Sequence, residues 1–181
     1  MAATRFAWLR RACGRRYAHC MAPELHPNLA ELAPLLGTWS GRGSGVYPTI
    51  APFDYLEEVV FSHVGKPFLV YGQKTKSAAD GLPLHAETGY LRVPQPGRIE
   101  WVLAHPSGIS EIEVGSYTLT ANGVELEMSA PTIGLTPTAK EVAVLSRHYR
   151  LDGDELSYTL DMGAVGQPAQ NHLTATLRRT G

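Results

Sequence analysis

Side chains able to hold a metal or move a proton near neutral pH are few in this 181-residue chain, and histidines come first among them. There are seven: His19, His26, His63, His85, His105, His148 and His172. No two lie two or four residues apart, the spacings that set a pair of imidazoles on one face of a strand or helix. A multi-histidine centre would therefore need convergence from distant parts of the chain. Taken singly, each is more simply a hydrogen-bonded or solvated structural residue. No Walker loop, H-E-x-x-H helix, dinucleotide fingerprint or Ser-His-Asp order is present. The two cysteines, Cys13 and Cys20, make neither a C-x-x-C motif nor a disulfide framework for the rest of the chain.

His172 is set apart by its place. It sits in the last alternating segment, Gln170 to Arg179, where His172, Thr174 and Thr176 share one face and Leu173, Ala175 and Leu177 the other. If the threonines face inward, their short side chains leave space in front of the imidazole. If they face outward, His172 is a surface residue; parity alone leaves both open. A lone imidazole suits haem, because the porphyrin supplies four nitrogens and the protein needs to add one axial ligand. Two further residues are candidates for touching a ligand at the mouth of such a site. Lys140 follows the turn residues Thr136-Pro137-Thr138, placed either to pair with an anion or to be a solvated lysine. Thr49, in Tyr47-Pro48-Thr49-Ile50, either donates to a ligand or satisfies its own backbone.

The elements that must position these residues are organised around Gly37-Thr38-Trp39-Ser40-Gly41-Arg42-Gly43. Glycine inside a strand marks a bend, a bulge or a close approach of another group. Trp39 between the glycines brings a large apolar ring with one N–H donor. The combination predicts a first barrel strand that bends, with the ring plugging one end, and assigns Gly37, Trp39, Gly41 and Gly43 to architecture. The spacing matches no phosphate-binding loop, and no long helix follows.

Before this motif, His26 to Leu36 predicts a short helix, with Pro27 at its first turn and Leu29, Leu32, Leu35 and Leu36 on one side. After it come segments rich in β-branched and aromatic residues: Phe53 to Val64, Phe68 to Lys76, Leu84 to Val93, Arg98 to His105, Ile109 to Thr118, Val124 to Ser129, Glu141 to Leu151, Glu155 to Met162 and Gln170 to Arg179. Breaks fall at Gly65-Lys66-Pro67, Pro94-Gln95-Pro96-Gly97, Asn122-Gly123 and Asp152-Gly153-Asp154. With the glycine strand this makes about ten strands and no βαβ rhythm. Alternation over successive hairpins predicts an all-β, ten-stranded antiparallel up-and-down β-barrel with a short N-terminal helix; a sandwich is the alternative. A barrel of more than about eight strands has room inside for a ligand.

Charge divides the chain unevenly. Residues 1–20 hold five arginines and no acid, so residues 21–181 carry −6, the overall −1 less those five. A body of that sign is poorly suited to nucleic acid. No apolar run approaches the roughly 20 residues that span a bilayer as a helix. Residues 1–21 are expected to be a basic extension, either a disordered tail or an over-extended start ahead of Met21, and residues 22–181 the barrel domain.

Several stretches together resemble the nitrobindin family: Leu36-Gly37-Thr38-Trp39-Ser40-Gly41-Arg42-Gly43, Tyr47-Pro48-Thr49-Ile50, Phe53-Asp54-Tyr55-Leu56-Glu57-Glu58, Gln167-Pro168 and His172-Leu173. The similarity runs over residues 26–179. His63-Val64-Gly65-Lys66-Pro67-Phe68 and Leu103-Ala104-His105-Pro106-Ser107-Gly108 look like mycobacterial members in particular. The resemblance implies a barrel holding one haem b per subunit at one end, with His172 as axial iron ligand and Thr49 and Lys140 touching the haem. It also implies nitric oxide binding and isomerisation of peroxynitrite to nitrate on ferric iron acting as a Lewis acid, with a hydrophobic distal wall. It suits a cytoplasmic protein that uses neither nucleic acid nor a membrane, and is compatible with a homodimer. The competing reading is a carrier of fatty acids or other apolar ligands, for which a barrel of this size is equally suited.

Overall fold

The computed structural model describes residues 23–181. The basic extension expected at residues 1–21, and its boundary with the barrel, lie outside the described residues. Ten strands follow one short helical segment: β1 (Gly37–Tyr47), β2 (Ile50–His63), β3 (Phe68–Ser77), β4 (Pro83–Gln95), β5 (Arg98–Ala104), β6 (Ile109–Leu119), β7 (Gly123–Leu135), β8 (Val142–Asp152), β9 (Glu155–Ala164) and β10 (Gln170–Arg179). Each pairs antiparallel with the next, and β1 pairs with β10, so the sheet is a closed barrel. Closure leaves no edge strand exposed. The turn at Asp152-Gly153-Asp154 has the form expected, with Gly153 at φ +59.

The segment before the barrel is a 3₁₀ helix, Pro27–Leu35, capped by His26, whose Nδ1 accepts from the Asn28 amide at 3.2 Å. Its three buried residues, Leu29, Leu32 and Leu35, are spaced by three, the interval at which side chains eclipse in a 3₁₀ helix. Leu36, expected on the same side, lies beyond the helix as its C-cap. The leucines seal one end of the barrel against Trp39, which is fully buried and donates from Nε1 to the Leu35 carbonyl at 2.8 Å. Arg179 completes the seal. Its guanidinium lies 4.1 Å over the Trp39 ring and donates to the carbonyls of Pro34 and Leu36 and to Asp154. Gly37 adopts φ +126 with its Cα against the Gly181 carbonyl, a conformation and a closeness that a side chain would forbid.

The alternation follows the expected sense on most strands: Val124, Leu126 and Met128 of β7 and Leu156, Tyr158 and Leu160 of β9 are buried. On β6 it inverts. Glu111 and Glu113 point inward and are 2% and 0% exposed, while Ile112 and Val114 lie on the outer face at 45% and 44%. The interior of this barrel is therefore not uniformly apolar, and its polar part is concentrated toward the end opposite the 3₁₀ helix.

Candidate functional site

Strand direction sorts the connections. The hairpins after β1, β3, β5, β7 and β9 all emerge at the end remote from the 3₁₀ helix, and His172, Thr49 and Lys140 all lie at that end. The face on which His172 stands is settled by a local irregularity. Thr174 and Thr176 are exposed, so the threonine face is outward, and strict alternation would send His172 outward with them. The register between β10 and β9 shifts between Asn171 and Leu173, leaving His172 as an extra residue with no partner across the ladder. Such a bulge re-aims the side chain it contains. His172 consequently lines an interior cavity, beside Leu173, in spite of its parity.

The imidazole is held from several sides. Its Nδ1 lies 3.1 Å from the Val46 carbonyl, which can only accept, so Nδ1 carries the hydrogen and Nε2 keeps a free lone pair. The ring meets Tyr47 edge-on at 5.2 Å and Phe53 at 6.5 Å between centroids. Tyr47 is itself fixed by a reciprocal pair of bonds, its hydroxyl accepting from the Ala164 amide at 2.7 Å and donating to the Ala164 carbonyl at 3.0 Å. The next residue, Val165, is the one non-glycine residue among those described with a positive φ, at 46°. Left-handed backbone is unfavourable for a β-branched side chain, and strain of this kind collects beside functional sites.

The glycine motif reaches this site through β2. Gly43 and Gly45 pair across the ladder with Tyr55 and Phe53, whose rings lie over the bare glycine backbone. A Cβ at Gly43 would stand 2.2 Å from the Tyr55 ring, and one at Gly45 equally close to the Phe53 ring. Both rings line the cavity. At Gly41 the close neighbour is instead the β10 backbone at Thr176. At Gly37, Trp39 and Gly41 the motif packs against Gly181, the 3₁₀ helix and β10, while Gly43 and the adjoining Gly45 shape the cavity wall.

The cavity has a volume of about 360 Å³. Its wall on β8 to β10 is apolar, formed by Val142, Leu145, Leu160, Met162 and Leu173. The wall on β4 to β6 bears His85, Glu87, His105 and Glu111, with Arg147 of β8 reaching in among them. The hydrophobic distal wall expected from the resemblance is thus only half realised. β5 and β10 stand five places apart in a ring of ten, so His105 and His172 face each other across the barrel.

Arg147 is buried and engages three carboxylates: Glu87 at 2.9 Å, Glu111 at 3.1 Å and Glu113 at 3.2 Å. Burial is the strongest single influence on Glu87 and Glu111 and would raise both carboxyls, but Arg147 and His105 acting together hold them below the usual range. Glu113 goes the other way: burial dominates and the neighbouring Glu111 adds to it, so its carboxyl is pushed up. Glu57, buried beside Gln73 and Tyr158, is raised to about 7, chiefly by burial.

Of His172, Thr49 and Lys140, only His172 lines the cavity; of the other histidines weighed singly from the sequence, His85 and His105 line it as well. Thr49 is exposed in the turn between β1 and β2, and Lys140 is exposed in the connection between β7 and β8; both stand on the same rim, outside the cavity lining. Sequence reading missed the opposite wall. Its signal was present in His85-Ala86-Glu87, a pair of ligating residue types two apart on one strand, and in the inverted alternation of Glu111 and Glu113.

A family model described as a THAP4-like, heme-binding β-barrel domain matches residues 28–179. Over 159 residues the chain is 73% identical to peroxynitrite isomerase 1 of Mycolicibacterium paratuberculosis, covering 88% of this chain and 99% of that protein. With the same coverage it is 70% identical to peroxynitrite isomerase 2 of Mycobacterium marinum. The crystal structure of Rv2717c from M. tuberculosis superposes with a TM-score of 0.86 at 64% identity, covering 87% of this chain and 100% of that one. On these matches, which span most of the chain, it belongs to the THAP4-like, haem-binding β-barrel family.

Proposed function

We propose that the protein is a haem-dependent peroxynitrite isomerase, with His172 as the axial ligand of a b-type haem. The observation that carries the reading is the orientation of His172: Nδ1 donates to Val46 and Nε2 is left free toward the cavity. A ligating imidazole characteristically anchors its second nitrogen in this way, which fixes tautomer and ring plane. When bound, ferric haem supplies a Lewis acid for rearranging the O–O bond of peroxynitrite into nitrate. The chain's own part is to hold one imidazole, to keep water from the apolar β8–β10 wall, and to leave the remaining space to a small anion. Lys140, on the rim, is suited to pair with a haem carboxylate, and Thr49 to donate to one. Nitric oxide is a second ligand that the same open position would take.

The test is reconstitution with haemin, followed by stopped-flow decay of peroxynitrite and measurement of nitrate yield. Acceleration in the wild type and its loss, together with the Soret band, in His172→Ala is the expected result; unchanged haem uptake in the variant would remove His172 from the axial position. An apolar-ligand carrier is less well served, because the ionised wall of Glu87, Glu111 and Arg147 would leave buried charges facing a hydrocarbon chain.

No helix among the described residues is long and apolar enough to cross a membrane. Residues 23–181 contain no cysteine, so the barrel needs no oxidising compartment, which suits the cytoplasm. Tyr90, Val102, Ile112 and Val114 form an exposed apolar stripe over the outer faces of β4 to β6, adjacent by register. Pairing of two barrels through this stripe is the homodimer we favour; Val102→Glu with Ile112→Glu should then yield a monomer in sedimentation analysis.

A further inference from the structure

On the wall facing His172, three ligand atoms of the right types converge: His85 Nε2, His105 Nδ1 and a carboxylate oxygen of Glu87. The two imidazole nitrogens are 3.0 Å apart, His105 Nδ1 is 3.3 Å from Glu87 Oε2, and all three atoms lie within 4.8 Å of one another. Ligand atoms on a tetrahedral zinc ion, with bonds of about 2.0–2.1 Å, stand roughly 3.3 Å from each other. The backbone makes the convergence. His85 and Glu87 are two apart at the start of β4 and so share a face, and His105 directly follows β5, whose Ala104 pairs with Thr88 of β4.

The surroundings are those of a metal centre. His105 Nε2 lies 2.7 Å from Glu111 Oε1, near enough for a small turn of the ring to align the carboxylate–imidazole pair that orients a metal-bound histidine. Glu87 is clamped by Arg147 through both carboxylate oxygens and by the Tyr71 hydroxyl at 2.7 Å. Beside the three ligand atoms two buried carboxylates, Glu87 and Glu111, share the single buried cation of Arg147. Two carboxylates sharing one guanidinium leave a place that a divalent ion beside them can fill. His85, Glu87 and His105 all border the cavity, so a fourth coordination position opens into it.

We propose that His85, Glu87 and His105 form a second metal site, binding one divalent first-row cation of the zinc type independently of haem, with Glu111 and Arg147 as its positioning residues. Two imidazoles and one carboxylate, with an open position, are the ligand set of open zinc sites. The site would place a cation and its bound water across the cavity from His172.

The test titrates the full-length chain, haem-free and haem-loaded, with Zn²⁺ by calorimetry, and with Co²⁺ as a visible-spectrum reporter. One ion per chain is expected in both forms. His85→Ala should weaken binding on the order of 100-fold, and Glu111→Gln about 10–100-fold. His172→Ala should leave it unchanged. His85 is exposed at the lip of the barrel, and His85→Gln keeps a polar side chain there should the alanine variant fold poorly. Absence of saturable binding overturns the proposal. So does full-strength binding in both His85 variants, or loss of binding in His172→Ala. Anomalous scattering at the zinc edge from a soaked crystal decides position: a peak among the three ligand atoms supports the site, and a peak elsewhere alone overturns it.

Discussion

At the end covered by the 3₁₀ helix, Leu29, Leu32 and Leu35 pack onto Trp39, Arg179 lies over the indole and ties down the carbonyls of Pro34 and Leu36, and the C-terminal Gly181 carbonyl accepts from the Thr38 amide. At the other end the corresponding volume is a cavity, flanked by longer connections and lined on one side by ionisable side chains. The first end is a packed apolar plug whose polar atoms are satisfied. The second has an imidazole turned inward by a bulge, a strained Val165, and two buried carboxylates, Glu87 and Glu111, sharing one arginine. Cohesion resides in one end and chemistry in the other. The glycine strand connects them, because the run that begins under Trp39 ends under Tyr55 and Phe53.

That division can be broken by substitution. The largest effect is expected at His172→Ala: haem affinity should fall by at least about 100-fold with the Soret band lost, while the apo protein's melting temperature stays close to wild type, since His172 is only half-buried. Trp39→Ala should do the reverse. It should cost roughly 3–5 kcal/mol in denaturant unfolding, as for a buried aromatic, while the haem spectrum of the folded fraction is retained. A Trp39 variant that stays stable and loses haem would end the separation of the two regions.

Glu57 tests the interior between them. Its folded pKa of about 7 lies above the ordinary 4.5, so it contributes stability that is complete below pH 4.5 and is lost as pH rises through about 7. The difference is on the order of 3 kcal/mol. Glu57→Gln should flatten the stability profile between pH 4.5 and 8 in denaturant titrations. Glu87 and Glu111 have depressed values, so their contribution has the opposite sign and is lost at lower pH, as it falls through their folded pKa values. The smallest effect is expected at Gly45→Ala, where the new methyl must displace the Phe53 ring. A cost of about 1–3 kcal/mol is expected, with haem affinity reduced as well because Phe53 contacts His172. Loss of stability alone would remove Gly45 from the site and return the whole motif to architecture.

Much of the barrel was legible because period-two alternation and turn residues are local signals. β9 shows this: Leu156, Tyr158 and Leu160 read as one face and are buried as one face. The 3₁₀ helix was only partly legible, since Leu29, Leu32 and Leu35 also fit an α-helix; Pro34 within the segment argues for the shorter form. The charged wall escaped notice because β6 carries its apolar residues outside. Ile112 and Val114 cover an outer stripe and Glu111 and Glu113 serve a buried arginine, so hydrophobicity read along that strand points the wrong way.

By itself, the sequence determined about ten antiparallel strands with an apolar plug near Trp39, and it singled out His172, because strand periodicity, turn chemistry and a lone imidazole in the last strand are properties of neighbouring residues; it left barrel and sandwich both open. The tertiary structure decided what those residues face. A one-residue bulge sends His172 inward against its parity, and β4, β6, β8 and the turn after β5 bring His85, Glu87, His105, Glu111 and Arg147 together from a span of 63 residues. Both outcomes depend on register across the barrel, a relation between strands that no single strand encodes.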